Sequence, residues 1–467
     1  MTYKPRTIHQ LMLTALFVGI SSTAGIAQQP DAKQVKQSSL SPELVKQIVT
    51  TVDSDTPRLE KIFKDIHQHP ELGFMETRTS GIVAKELKAL GYEVKTEVAK
   101  TGVVGILKNG KGPIVMYRAD MDANAVEEAT GLPYASKVRV KLSDGSESPV
   151  GHMCGHDAHT TWLLSLAKTM VKFKDQWHGT LILVGQPAEE LIEGATAMVD
   201  DGLFTKHGVP KPEYLLGLHT APAPTGIIVG SKGLLEAGTE QLDVTFHGIG
   251  GHGSSPQYTK DPILMATYAV TEYQAIVSRV LDPRDMCVIT VGAIQAGVSN
   301  NVIPEDATLK LNFRFFSEKT HEQLYKGVET ISNGIARTYG MPKKKLPTIV
   351  RKGYSSTLVN DESLMDELDN TLIDSGIVTK ENLITKFTPA TGSEDVQMLV
   401  HDLKNVKVGY FFIGTADPKL VEKAKAKGQE LPFANHNPNY QVDLKGIPFG
   451  AKVAAILTMQ LLDKTSH

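Results

Sequence analysis

The chain is 467 residues long, several times the roughly 150 that one core usually organises, so more than one domain is expected. Hydrophobic residues make up 41% and charged residues 22%, a globular balance that excludes a disordered or collagen-like chain. The formal net charge is -3 and no dense Lys/Arg run is interleaved with aromatics, which removes the basic footprint a nucleic-acid partner demands. The short run Lys343–Lys345 reads as solvated surface.

At the N-terminus, Lys4 and Arg6 precede an apolar run from Leu11 to Ile20 and small residues ending at Ala27, the layout of a secretory signal peptide. That run is too short to span a bilayer, and no later stretch approaches the roughly 20 apolar residues needed. We therefore expect cleavage near Ala27, no stable membrane anchor after processing, and a periplasmic or secreted protein. Removing residues 1–27 takes away two positive and no negative charges, moving the formal charge from -3 to -5. Residues 28–42, rich in Gln, Ser and Lys, read as a flexible leader. Cys154 and Cys287 are too few for a disulfide framework.

A helix is expected after Ser41-Pro42, because Ser is a good N-cap and Pro suits the first helical position. A second spans Thr77 to Leu90 and stops at Gly91. Nearly continuous apolar runs follow at Ile114 to Tyr117, Leu181 to Val184, Tyr214 to Leu218 and Val408 to Ile413. Continuous rather than alternating character predicts strands buried on both faces, as in a parallel sheet covered by helices. Trp162, Leu163, Leu166, Ala167 and Met170 form one face of a helix between the first two runs. From about Leu234 the pattern changes. Gln241 to His247 alternates, a helix follows Asp261-Pro262, Val288 to Ala293 and Thr308 to Phe316 read as strands, and His321 to Arg337 reads as a helix. The expected class is α/β: a layered catalytic domain with a mixed, largely parallel sheet (43–233 and 345–467), interrupted by a smaller α+β satellite domain (234–344).

In open α/β sheets ligands bind beyond the carboxyl ends of the strands. Here those ends lead to Arg118-Ala119-Asp120-Met121-Asp122, to Gln186-Pro187-Ala188-Glu189-Glu190 and to His219. The segment 151–159 adds His152, Cys154, His156, Asp157 and His159 immediately before a helix. Thiolate, imidazole and carboxylate together are what a borderline divalent ion selects, and such density is hard to explain by packing because buried polar groups cost free energy unless paired. Surface acids far outnumber functional ones, yet Glu189-Glu190 directly after a buried strand would place one acid on a metal and the other toward substrate. His436, in a polar loop, by itself reads as a surface or capping residue.

With these motifs assembled the chain resembles the M20 metallopeptidase family, in its branch of hippurate and auxin-conjugate amidohydrolases. The resemblance runs over nearly the whole mature chain, through the segments 67–73, 118–122, 154–157, 186–190, 217–219, 250–252, 301–304, 392–395 and 436–438. It implies ligation of two divalent ions (Zn, Mn, Co or Ni) by Cys154, His156, Glu190, His219 and His436, with the thiolate bridging. It implies that Glu189 is the general base and that His252 is an oxyanion donor reaching a partner subunit's site. Asn301 and Arg314 are candidate partners for a substrate carboxylate, Arg through its planar fork. The chain departs from the peptidase branches in carrying Asp120 where they carry a ligand His, so Asp120 and Asp122 are read as orienting the ligands. His152, Asp157 and His159 are read in the same way. The polar stretch 137–149 has no role that sequence assigns. The expected substrate is a small N-acyl amino acid or short peptide and the expected assembly a homodimer. Two other readings stand beside this one: an exopeptidase or dipeptidase with the same metals, and a catalytically silent metal or amino-acid binding module.

Overall fold

The computed structural model describes residues 40–142 and 144–463; the expected signal peptide and the leader up to residue 39 lie outside the described residues. Helix Pro42–Gln68 starts as its sequence dictates, with Ser41 Oγ accepting the Leu44 N–H at 3.2 Å and Pro42 in the first turn. Helix Thr77–Ala89 ends at Leu90, and Gly91 leaves it with φ 83°.

Eight strands form the main sheet, in the spatial order Glu93–Val98, Gly102–Asn109, Gly179–Gln186, Ile114–Asp120, Tyr214–Pro224, Lys407–Ala416, Ile228–Val229 and Leu383–Ile384. The four central strands, Gly179–Gln186 to Lys407–Ala416, pair in parallel; the strands on the Glu93–Val98 side are antiparallel. Consecutive residues along these strands enter different cores. Val115, Tyr117, Leu181, Leu183 and Phe411 join the cluster under helices Pro42–Gln68, His156–Lys172 and Gly446–Leu462. Met116, Ile182, Val184, Leu215 and Tyr410 join a second cluster with Ala195, Met198 and Leu399. Burial on both faces is why the strands read as unbroken apolar runs, and the sheet is the mixed, largely parallel one expected.

A separate antiparallel sheet of four strands has the order Cys287–Ala296, Asp306–Phe315, Gly238–His247 and Thr348–Ser355. One of its faces carries helices Pro262–Ala275 and Glu318–Thr338, which with it enclose a hydrophobic cluster of their own that includes Val244, Phe246, Ala269, Phe313 and Leu324. Asp261 caps the first helix by accepting the Ile263 N–H at 2.8 Å. The fourth strand lies past residue 344, where the sequence reading ended the satellite; Arg351-Lys352-Gly353 interrupts its apolar pattern. Residues 137–149 contribute a small hairpin, Arg139–Lys141 with Glu147–Pro149. No helix among the described residues is long and apolar enough to cross a membrane.

Candidate metal centre and substrate cleft

The carboxyl ends of the central strands share one edge of the main sheet, and the polar residues that follow them converge there. Cys154 is the hub: its ligand atom groups with those of His156 and His219, and separately with those of Glu190 and His436, each set lying within 4.8 Å. The structure therefore brings together all five ligand residues named from sequence. Helix His156–Lys172 starts immediately after Gly155, whose φ of 82° suits glycine and at which a Cβ would lie 2.3 Å from Thr220 Oγ1. The His436 loop is tied to the same turn by the His436 N–H to the Met153 carbonyl at 2.7 Å. Asn435 Nδ2 adds a contact to Cys154 Sγ at 3.4 Å.

Three buried histidines in this region are in different states. His159 has both ring nitrogens occupied: Nδ1 is 2.6 Å from Asp120 Oδ1, and Nε2 accepts the Thr220 N–H at 2.8 Å. Burial drives its pKa down to about 4, so it is a neutral imidazole with no nitrogen left for an ion. His219 donates Nδ1–H to the Thr220 carbonyl at 2.6 Å and turns Nε2 toward Cys154 Sγ at 3.5 Å, the tautomer that frees one nitrogen for a ligand. His156 is fully buried with neither ring nitrogen hydrogen-bonded; its nearest oxygens belong to Asp122 at 3.4 Å, Asp120 at 3.7 Å, and Glu189 and Glu190 at 3.8 Å. Orphaned nitrogens amid four carboxylates and a thiol, with Glu190 Oε1 meeting only His436 Nε2 at 3.2 Å, fit a bound cation. Burial and Glu190 push the Cys154 thiol up, but His219 and His156 outweigh them and bring it down to about 6, so the thiolate is accessible near neutral pH.

Asp122 sets the turn that carries the two glutamates, accepting the N–H groups of Glu189 and Glu190 at 3.0 Å each. Ala188 is held at φ 50° in that turn by Glu76, which accepts its N–H at 2.8 Å and the Thr101 hydroxyl at 2.5 Å. Glu76 was missed in the sequence, where an acid before a helix reads as a cap. Behind the turn lies a second group, of which only Asp120 was given a role from sequence. Arg118, fully buried, reaches Asp120 at 2.6 Å, Glu394 at 2.7 Å, Asp395 at 3.0 Å and Gln186 at 2.8 Å. Tyr410 donates to Glu394 at 2.5 Å. A charged residue inside an apolar strand was the signal available. His67 is held up at about pKa 9 against the lowering effect of burial by Asp157 at 2.6 Å and Glu128 at 3.2 Å on its two nitrogens. Through Glu128, and through the Ala129 N–H to the Pro438 carbonyl at 2.7 Å, the 123–150 segment is anchored beside the His436 loop. His152 is buried with both nitrogens unpartnered.

Next to the hub opens a cleft of about 560 Å³. Glu189, Glu236, Arg314 and Ser393 give it polar points, and Phe387 and Phe412 an apolar wall. Glu189 has no side-chain hydrogen bond among the described residues, and burial, then Glu394 and Glu190, raise its pKa well above the carboxylate range. Arg314 donates to Asn312 at 3.1 Å and to Ser393. His252 and Asn301 do not line this cleft. They are exposed and adjacent at the tip of the satellite, where Gly251-His252 pairs with Val302-Ile303 and the Gly253 N–H donates to the Asn301 carbonyl at 2.8 Å.

The chain belongs to peptidase family M20/M25/M40, whose family model matches residues 116–460. It is 40% identical over 307 residues to a hippurate hydrolase of Campylobacter jejuni, covering 65% of this chain and 76% of that protein. It is 35% identical over 407 residues to the IAA-amino acid hydrolase ILR1-like 4 of Arabidopsis thaliana, covering 86% and 85%. Among solved structures it is similar to the YXEP protein of Bacillus subtilis, a dinuclear metal binding peptidase of the M20 family, with a TM-score of 0.66 and 25% identity over 88% of this chain and 99% of that one. Family and relatives together make the chain a metal-dependent hydrolase of the amidohydrolase and peptidase kind.

Proposed function

We propose that the protein is an exported N-acyl amino acid amidohydrolase acting through two divalent ions, held by Cys154, His156, Glu190, His219 and His436, and through Glu189 as general base. The observation that carries this reading is the position of Glu189: it borders both the ligand set and the cleft, its backbone is pinned by Asp122, and its carboxyl is free of hydrogen bonds. Bound divalent ions supply a Lewis acid for the amide carbonyl and make water a stronger acid. The protein's own contribution is positional. Arg314 offers a guanidinium to a substrate carboxylate, while Phe387 and Phe412 give the acyl group an apolar wall. Glu189 takes a proton from the attacking water and returns it to the leaving nitrogen, a double role suited to a carboxyl of raised pKa. The mixed donor set suits zinc through its thiolate and imidazoles, and manganese, cobalt or nickel through its carboxylates.

We place export on the N-terminal pattern and dimer formation on the satellite. Its edge strand Cys287–Ala296 is paired on one side only and exposes Val288 and Ile294, and nearby Leu264, Tyr268 and Val298 are exposed too. In such a dimer the paired His252 and Asn301 tips serve the partner's cleft. A peptidase reading draws support from the thermostable carboxypeptidase 1 of Saccharolobus solfataricus, 33% identical over 90% of this chain. A silent binding module is disfavoured, since it has no use for a free base beside the ligand Glu190.

The test loads the mature protein and a Glu189→Ala variant with zinc, manganese, cobalt or nickel and follows amino acid release from N-acetyl, N-benzoyl and dipeptide substrates. Wild-type cleavage is expected to fall by about 10²- to 10⁴-fold in the variant while its metal content is unchanged. Equal rates in both proteins would remove Glu189 from the reaction, and a preference for dipeptides would select the peptidase reading.

A further inference from the structure

The cleft contains an acid that the reaction outlined above does not use. Glu236 ends the short strand Gly233–Glu236, whose backbone is fixed on one side by Leu358–Asn360 and on the other by Ala390, through Ala237 N–H to the Ala390 carbonyl at 3.0 Å. The residue is only 7% exposed, yet it lines the cleft. Its Oε1 lies against Gly392, where an added Cβ would stand 2.9 Å away, so the absence of a side chain there gives the carboxyl its room. No described residue hydrogen-bonds the Glu236 side chain or forms an ion pair with it. The charged and titratable groups around it are Glu394, His219, Cys154 and Arg314.

Arg314 is the complementary case. It is partly buried in the same cleft, donates only to the neutral groups Asn312 and Ser393, and has no carboxylate within ion-pair distance among the described residues. The cleft thus presents an acid and a guanidinium that form no ion pair with each other or with any described neighbour. Burying such groups without a counter-charge is costly, and an occupant that carries both opposite charges recovers that cost.

We propose that Glu236 is a specificity-determining acceptor for a cationic nitrogen on the substrate, so that the cleft selects amides carrying a carboxylate for Arg314 and an ammonium or guanidinium for Glu236. This rests on the amidohydrolase reading above and names its substrate class. Burial, reinforced by Glu394 and opposed by His219 and Arg314, raises Glu236 to about pKa 8. The cation has two sources of one chemistry: the side chain of an N-acylated basic amino acid, or the free α-amino group of a dipeptide.

The test compares kcat/KM of the metal-loaded wild type, Glu236→Gln and Glu236→Met on two substrate pairs. Nα-benzoyl-lysine against Nα-benzoyl-norleucine places the charge on the side chain; a free dipeptide against its N-acetylated form places it at the α-amino end. We expect the wild type to favour the cationic member of one pair by about tenfold or more, and that pair names the source. We expect Glu236→Gln to reduce the preference to within about twofold while the uncharged member keeps its rate, and Glu236→Met to reproduce this if the glutamine folds poorly. No cationic preference in either pair, or a variant that loses both members equally, overturns the proposal. If no amide is cleaved by any protein, the amidohydrolase reading fails, and calorimetric titration with lysine and norleucine then decides the role of Glu236. Weaker lysine binding in the variant supports it; equal binding overturns it.

Discussion

The carboxyl edge of the eight-stranded sheet and the tip of the four-stranded sheet both carry polar residues that the sequence marks out, and the fold treats them in opposite ways. At the sheet edge, Asp120, Asp122, His156 and His159 are withdrawn from water, and all but His156 are held by hydrogen bonds to neighbouring segments. At the tip, His252 and Asn301 stand in solvent, with only local contacts such as Ser254 Oγ to His252 Nδ1 at 2.8 Å. The difference separates what the chain builds alone from what it leaves open. A buried cluster with orphaned imidazole nitrogens is assembled by one chain and could hold a cation, whereas an exposed donor contributes to catalysis only where another surface desolvates it.

The comparison is broken most strongly by removing the charge that holds the edge together. Arg118→Met leaves Glu394 and Asp395 buried without their guanidinium. Stability is expected to fall by about 3–5 kcal/mol in denaturant unfolding, and a loss below about 1 kcal/mol would show that the network is not a unit. At the tip the expectation is reversed: His252→Ala leaves the unfolding midpoint unchanged and lowers kcat by about 10²- to 10³-fold. Mixing that variant with Glu189→Ala chains distinguishes its site of action. If His252 serves the partner's cleft, equal mixing and re-association returns roughly a quarter of the sites to wild-type composition. If it serves its own cleft, mixing returns no activity.

How much of this was legible in the sequence follows the same division. The central strands were readable because burial on both faces leaves an unbroken apolar run, and the satellite helix at Asp261-Pro262 because capping is a local signal. Thr348–Ser355 escaped because half of its residues are exposed and Arg351-Lys352-Gly353 breaks the alternation. Candidate cation ligands could be proposed because thiolate, imidazole and carboxylate at strand ends are chemically distinctive, and His436 joined them through the family resemblance alone. Only the family resemblance set His156 apart from His159 in the sequence, since they lie on the same turn of one helix and differ in that Asp120 and Thr220 occupy the second ring. The Arg118–Glu394 pair was invisible for another reason: 276 positions separate its members, and no local pattern encodes which distant acid meets a buried base.

The smallest effect tests whether burial without a partner is tolerated away from the active edge. Asp369, on helix Glu362–Asp374, is 7% exposed with Oδ1 unpartnered, and burial raises its pKa from 3.8 to about 7. The folded protein therefore binds this proton more tightly than the unfolded chain does. The stabilising contribution is fully present below pH 4 and is lost as pH rises through about 7, so at pH 8 the ionised group burdens the fold. Asp369→Asn is expected to raise stability by about 1–3 kcal/mol at pH 8, with the gain shrinking to nothing by pH 4. Equal stability of the two proteins at both pH values would mean that a rearranged Lys232, the cation whose charge acts on Asp369, neutralises it. The contrast between a partnered edge and an unpartnered interior would then have to be withdrawn for this helix.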